Sequence, residues 1–189
     1  MQGKPDIIAA SAPTDSRILQ QKIKEYVKQS RYFIMTSRFT ESTWKENINF
    51  RANKTNFKCI YCSPEQVSAR IPTDSVMFVL EMNNDKNKIM GIGMVKNHPR
   101  VQMYGVYENY NYNRYNFVGK HRIDREDMTE EEDEIMRVFD TLCFKGNKHM
   151  KRGQGLKMFS AEMLYKMLVR FDLVEYIKEM FKIRMSMTS

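Results

Sequence analysis

Three stretches of this chain carry side chains able to do chemistry. Cys59-Ile60-Tyr61-Cys62 sets two thiols three residues apart. The run Tyr107-Glu108-Asn109-Tyr110-Asn111-Tyr112-Asn113-Arg114-Tyr115-Asn116-Phe117 interleaves rings with asparagine and arginine. Rings stack on bases and amides hydrogen-bond base edges, so this composition suits a nucleic-acid surface; it equally suits strand residues of which half face a core. Lys145-Gly146-Asn147-Lys148-His149-Met150-Lys151-Arg152-Gly153-Gln154-Gly155 holds four cations, three glycines and no acid. Glycine lets backbone N–H groups reach an anion, and lysine and arginine neutralise it. The loop lacks the Gly-Lys-Ser/Thr ending of a nucleotide P-loop, so ATP is not implied. Lys145, Lys148, Lys151 and Arg152, with Arg114, Lys120 and Arg122 upstream, are the candidate phosphate contacts.

The thiols admit two further chemistries. A zinc site would join Cys143 and His149 to Cys59 and Cys62. Against it, no glycine or proline loosens the segment between Cys59 and Cys62, which reads as strand, where residues three apart face opposite sides. A redox motif would need a helix start between the thiols. Hydrolytic chemistry has no anchor either. The three histidines lie in separate loops, and neither Gly-x-Ser-x-Gly nor His-Glu-x-x-His occurs. The acids from Asp124 to Glu134 form one run that reads as a solvated loop and the first turn of a helix. The sequence therefore points to a non-catalytic protein with no cofactor.

Composition agrees with a polyanion partner. The formal charge is +8 over 189 residues, and nucleic acid is the commonest intracellular polyanion. Hydrophobic residues make up 42%, enough for a sizeable core. Three cysteines do not make a disulfide framework. No apolar run approaches transmembrane length, and Ile7-Ile8-Ala9-Ala10 is too short for the apolar part of a signal peptide, so an intracellular protein is expected.

The elements that must position these groups follow from periodicity. Residues 1–15 read as a flexible tail, and 16–189 as one domain. Helical spacing runs from 16 to 29. Strands are expected at Tyr32–Ser37, Cys59–Cys62, 76–83 and 88–96, the last two joined by an Asn-Asp-Lys-Asn turn. Short helices are expected from Thr40, with Trp44 inward, and at 64–70 after Ser63-Pro64. Residues 49–56 read as a loop, 101–104 and 116–123 as strands. Gly91 and Gly93 mark a bulge or a close approach by another backbone. A helix carries Ile135 to Leu142. Residues 160–185 are helical, with Arg170-Phe171-Asp172 as an interruption, and offer a surface for a protein partner.

Phe33-Ile34-Met35-Thr36-Ser37, a helix, Cys59-Ile60-Tyr61-Cys62-Ser63, the apolar strand Val76 to Met82, and Met90-Gly91-Ile92-Gly93-Met94 together resemble the YTH domain, a member of the PUA-like fold. The resemblance spans about 31–96. It implies an α+β, PUA-like open β-barrel flanked by helices, and binding of single-stranded RNA with an N6-methyladenosine-like base in an aromatic cage. On that resemblance Tyr61 takes the place of the first cage tryptophan. Cys62 and Ser63 line the base, and Thr36, Ser37 and Arg38 approach the nucleoside. Tyr112, Tyr115 and Phe117 supply the later rings. The departure is that the chain's one tryptophan, Trp44, falls in the first helix. Phe144 to Gly155 also resembles a segment of proteins from large nucleocytoplasmic DNA viruses. Two rival functions remain: a nucleic-acid-processing enzyme on a PUA-like fold, without the Gly-x-Lys-x-x-Glu-x-Arg motif of the ASCH type, and a protein-interaction or virion component.

Overall fold

β1 (Tyr32–Phe39) is buried on both faces, which explains its almost unbroken apolar run. Phe33, Met35 and Phe39 enter one core; Ile34, on the alternate face, enters a second. The computed structural model describes residues 12–102 and 104–187 and forms an α+β protein. Its main sheet is mixed and five-stranded, in the order β6 (His121–Asp124), β4 (Lys88–Lys96), β3 (Val76–Asn83), β1 and β7 (Lys157–Met158). β1 pairs in parallel with β3 (Val76–Asn83), Tyr32 opposite Val76 and Phe39 opposite Asn83. β3 turns back into β4 (Lys88–Lys96) as the expected hairpin. The turn is held by Asn83 Oδ1, which accepts from the backbone N–H of Asp85 and Lys86 at 3.1 and 3.0 Å. Asn87 takes the left-handed conformation, φ 52°. β6 (His121–Asp124) pairs with β4, and the two-residue β7 (Lys157–Met158) pairs with β1.

β2 (Cys59–Ser63) and β5 (Tyr115–Gly119) make a separate antiparallel ribbon, Tyr61 opposite Phe117. It covers one face of the main sheet together with α2 (Glu41–Ala52). The other face carries α3 (Glu130–Phe144) and α5 (Leu173–Ser186), with α4 (Ala161–Met167) beside them. α1 (Ala12–Gln29) meets α4 through Tyr26 and Tyr165, edge to face at 5.9 Å. Among the described residues there are five α-helices and no closed barrel. Among the described residues no helix is long and apolar enough to cross a membrane.

Several expectations are corrected. α1 begins at Ala12 rather than 16; the expected tail otherwise lies outside the described residues. α2 runs on to Ala52, taking in half of the supposed loop 49–56. Residues 64–70 form no helix. The Ser63 hydroxyl accepts from Glu65 N–H at 3.3 Å and donates to Glu65 C=O at 2.5 Å, holding a local turn in its place. Residues 101, 102 and 104 lie outside any strand; an isolated bridge between Arg100 and Asn116 is all that forms nearby. The supposed strand 116–123 is two strands in different sheets, with Lys120 at the corner. The break expected at 170–172 is present, and Asp172 caps α5 by accepting from the N–H groups of Val174 and Glu175, both at 3.0 Å.

Candidate functional site

Where β1 and β2 end, a cleft of about 190 Å³ opens. Ser37, Arg38 and Phe39 reach it from β1, and Cys62 from β2. Thr40 and Thr43, the two members of the α2 capping box, form part of its rim. Tyr107 and Tyr112 stand along one side with their rings edge to face, centroids 6.3 Å apart. Gly153, Gln154 and Gly155 close another side. Gly155 sits at φ 62°, and a Cβ there would lie 2.0 Å from Ser63 Oγ, so only glycine brings the basic loop this close to β2.

Tyr107 is held by buried asparagines. Asn113 Oδ1 accepts from the N–H groups of Val106 and Tyr107 at 3.1 and 3.2 Å, and its Nδ2 donates to Tyr107 C=O at 2.8 Å. Asn47 on α2 donates to Tyr107 Oη at 3.1 Å and to Ile60 C=O at 3.0 Å. Asn116 donates to Asn113 C=O at 3.1 Å. Two of the asparagines that looked able to read a base, Asn113 and Asn116, thus build the segment that presents the rings. Trp44 is a second layer: it packs edge to face on Phe39 at 5.2 Å, behind the cleft wall.

Tyr61 does not line the cleft, and its place as a cage residue is corrected. It is fully buried and points to the other side of β2. Its hydroxyl donates to Glu81 Oε1 at 2.7 Å. Glu81 is equally buried and takes a bidentate pair from Arg122, Nε at 3.0 Å and Nη2 at 2.7 Å. The pairing register of β3 and β4 shifts at Glu81, and Gly91 and Gly93 opposite leave room. A Cβ on Gly93 would lie 2.0 Å from Tyr61 Oη, and one on Gly91 2.9 Å from Glu81 Oε2. Both glycines mark a close approach: at Gly91 the nearest atom to a Cβ would be the backbone carbonyl oxygen of Ile123, at 2.7 Å, and at Gly93 it is the Tyr61 side chain. Burial, then the Glu81 carboxylate, push the Tyr61 hydroxyl far above its ordinary pKa, so it remains a donor.

The remaining pocket residues divide. Ser37, Arg38, Cys62 and Tyr112 meet at the cleft. Thr36 is fully buried and donates to Lys157 C=O at 3.3 Å. Ser63 is spent on its local turn, Phe117 is in the core, and Tyr115 lines a different depression beside Pro99. Among the phosphate candidates Arg122 is corrected: its side chain is 6% exposed and is paired with Glu81 and Asp124. Lys145, Lys148 and Arg152 are exposed on the loop, and Arg152 adjoins the cleft through Gly153. Lys151 donates to Asn87 Oδ1 at 2.8 Å. The loop is tied down by Arg38 Nε donating to Met150 C=O at 2.5 Å and Asn84 Nδ2 to Lys151 C=O at 3.1 Å. Arg114 and Lys120 are exposed but belong elsewhere on the surface.

The thiols point apart. Cys59 lies over Gly119 and His121, donating to their carbonyls at 3.7 and 3.5 Å, while Cys62 faces the cleft and Cys143 lies in α3. Burial pushes Cys59 and Cys143 up to about 12, and Cys62 higher still, so they are thiols rather than thiolates at neutral pH. Among the described residues no three His, Cys, Asp or Glu side chains are grouped to hold a metal ion.

Sequence reasoning missed Phe39, Thr40, Thr43, Asn84, Tyr107 and Gln154. Tyr107 stood in the aromatic run, and Thr40 stood at the start of a helix; the convergence of five separate segments had no local signal. No protein-family model, curated protein or solved structure matches the chain.

Proposed function

We propose that this protein is a non-catalytic RNA-binding module of the PUA-like, YTH-related kind, which takes one base of a single strand into the cleft at the ends of β1 and β2. The observation that carries the reading is the cleft's composition. Half-buried Tyr112 offers a stacking face backed by the buried rings of Tyr107 and Phe39, and Ser37, Thr40, Thr43, Asn84 and Gln154 offer neutral hydrogen-bonding groups. The volume, about 190 Å³, suits a single ring system. Cys62, which the YTH resemblance puts beside the base, and Ser37 and Arg38, which it puts at the approach to the nucleoside, lie together here. The described lining holds no carboxylate and no histidine, and its thiol is held protonated by burial, so it offers no general base. Exposed Arg152, the chain neighbour of Gly153 in the glycine wall, supplies charge that a phosphate backbone needs.

The test is binding of short single-stranded RNAs, with methylated and unmethylated adenosine compared side by side. Tyr112→Ala removes a stacking face and is expected to weaken binding of the preferred base by about 1–3 kcal/mol, roughly 5- to 150-fold. Lys151→Glu with Arg152→Glu is expected to weaken binding to every RNA. If Tyr112→Ala leaves affinity and base preference unchanged, the cleft is not the base site.

A further inference from the structure

A second charged groove lies at the opposite end of the main sheet from the cleft. Its volume is about 510 Å³, and it is lined by Lys96, His98, Arg100, Lys120 and His121 around a floor of Val76, Val95 and Val118. The cleft sits by Phe39 and Asn84, beyond the Phe39–Asn83 end of the β1–β3 pair; the groove sits by Asp74 and Val76, at the start of that pair. About eight residues of strand, at ~3.3 Å each, separate the two ends.

The groove exists because β5 comes down onto β4. A Cβ on Gly119 would lie 2.0 Å from Met94 C=O, so a larger residue would hold the corner away. The cations arrive from two directions on pinned backbone. Asn97 Nδ2 donates to Ile71 and Pro72 C=O at 2.9 and 3.1 Å, which fixes the path between Lys96 and His98. Arg100 N–H donates to Asn116 C=O at 2.7 Å. Asp74 is the one carboxylate in the described lining, and its Oδ1 accepts from His98 Nδ1 at 3.1 Å. Among the described residues Lys96, Arg100 and Lys120 have no carboxylate within ion-pair distance. An excess of unneutralised charge gathered in one open channel has an obvious complement.

We propose that this groove binds the phosphodiester backbone of a nucleic-acid strand, as a second contact separate from the base cleft. The cations are spread along an open channel and exposed, and no buried donor fixes a single phosphate, so the site suits an extended polyanion. Its apolar floor takes sugar and base edges without reading them. The inference shares its ligand class with the proposed function but uses none of the cleft's residues.

The experiment follows backbone amide resonances of the full chain during titration with a 12-mer of adenylate. Movement at 94–98 and 118–121 is expected, and Lys96→Glu with Lys120→Glu, both exposed, is expected to abolish it. That double variant should weaken the 12-mer about tenfold and reduce the slope of log K against log salt by about 1.4, the value for two phosphates on a single strand. Unchanged thermal melting would show that the variant is folded. Movement confined to 37–40, 107–112 and the 145–155 loop overturns the groove and leaves the base cleft standing. Movement in the groove alone supports the groove and overturns the cleft. No movement anywhere overturns both. A poly-glutamate peptide of equal charge that moves the same groove amides as strongly overturns the assignment to nucleic acid.

Discussion

Glu81 is a charge placed where water cannot reach it, and its stability depends on keeping both partners. Tyr61 and Arg122 occupy its two oxygens from different strands. Removing one side of a buried pair leaves the other unpaired, which costs about 3–5 kcal/mol. Arg122→Ala should therefore lower unfolding free energy by about that amount in urea denaturation, and Tyr61→Phe by about 1–3 kcal/mol, the loss of one buried hydrogen bond. Neither change should alter base preference, because neither side chain lines the cleft. Gly93→Ala should cost about 1–3 kcal/mol by the same measurement, since its Cβ would collide with Tyr61 Oη. At this scale the sequence was legible only in part. Cys62 and Tyr61 are neighbours on a strand, so one of them had to face inward; which one depended on Gly93 and Glu81, more than 15 positions away. Arg122 looked like a free cation because its buried carboxylate partner, Glu81, lies on another strand, although its second partner, Asp124, lies on its own.

Among the elements, α3 shows how an acidic run is used. Thr129 caps it, with Glu132 completing the capping box. Thr129→Ala should cost about 1 kcal/mol, read as a lower thermal midpoint. The next acids are not merely solvated, as the run had suggested. Asp133 is paired with Arg125 and Arg137, and Glu132 with Arg184 at 2.6 Å. The Arg125 hydrogen bond holds the Asp133 carboxyl below its ordinary pKa. Burial works to raise Glu132, but the Arg184 fork and the Thr129 N–H together hold it lower. Both groups therefore add stability above their unfolded values, about 3.9 and 4.3, that is lost as pH falls through the depressed folded ones. Asp140, raised by burial, runs the other way and offsets part of this. An acid titration of unfolding free energy should fall steeply below about pH 4, and Asp133→Asn should flatten that limb. Element positions were largely readable, because β1, β3, β4 and α3 carry their periods plainly. The helix expected at 64–70 failed because Ser63 spends its hydroxyl on Glu65, a competition that composition alone does not rank.

For the whole molecule, the two proposed contacts predict one measurable property. A long single strand able to occupy both should bind with a steeper salt dependence than a short one that fills the cleft alone, by about 0.7 in slope for each added phosphate. Matched titrations of oligonucleotides of increasing length check it. The assembly of segments into two layers around one sheet was the least legible level. β5 and β6 read as one strand and proved to belong to different sheets, because the turn at Lys120 has no sequence mark beyond Gly119. The parallel pairing of β1 with β3 has a consequence for how the chain is made. Tyr32 meets Val76, and β1 has no hairpin partner next to it in sequence. During synthesis β1 therefore emerges as an apolar strand with both edges open, and it stays so until residue 83 has left the ribosome. Its second edge is closed only by β7, at 157–158. Loop closure of this length slows the central step of folding, so the nascent chain should need protection from edge-to-edge association longer than a hairpin-first sheet of the same size would.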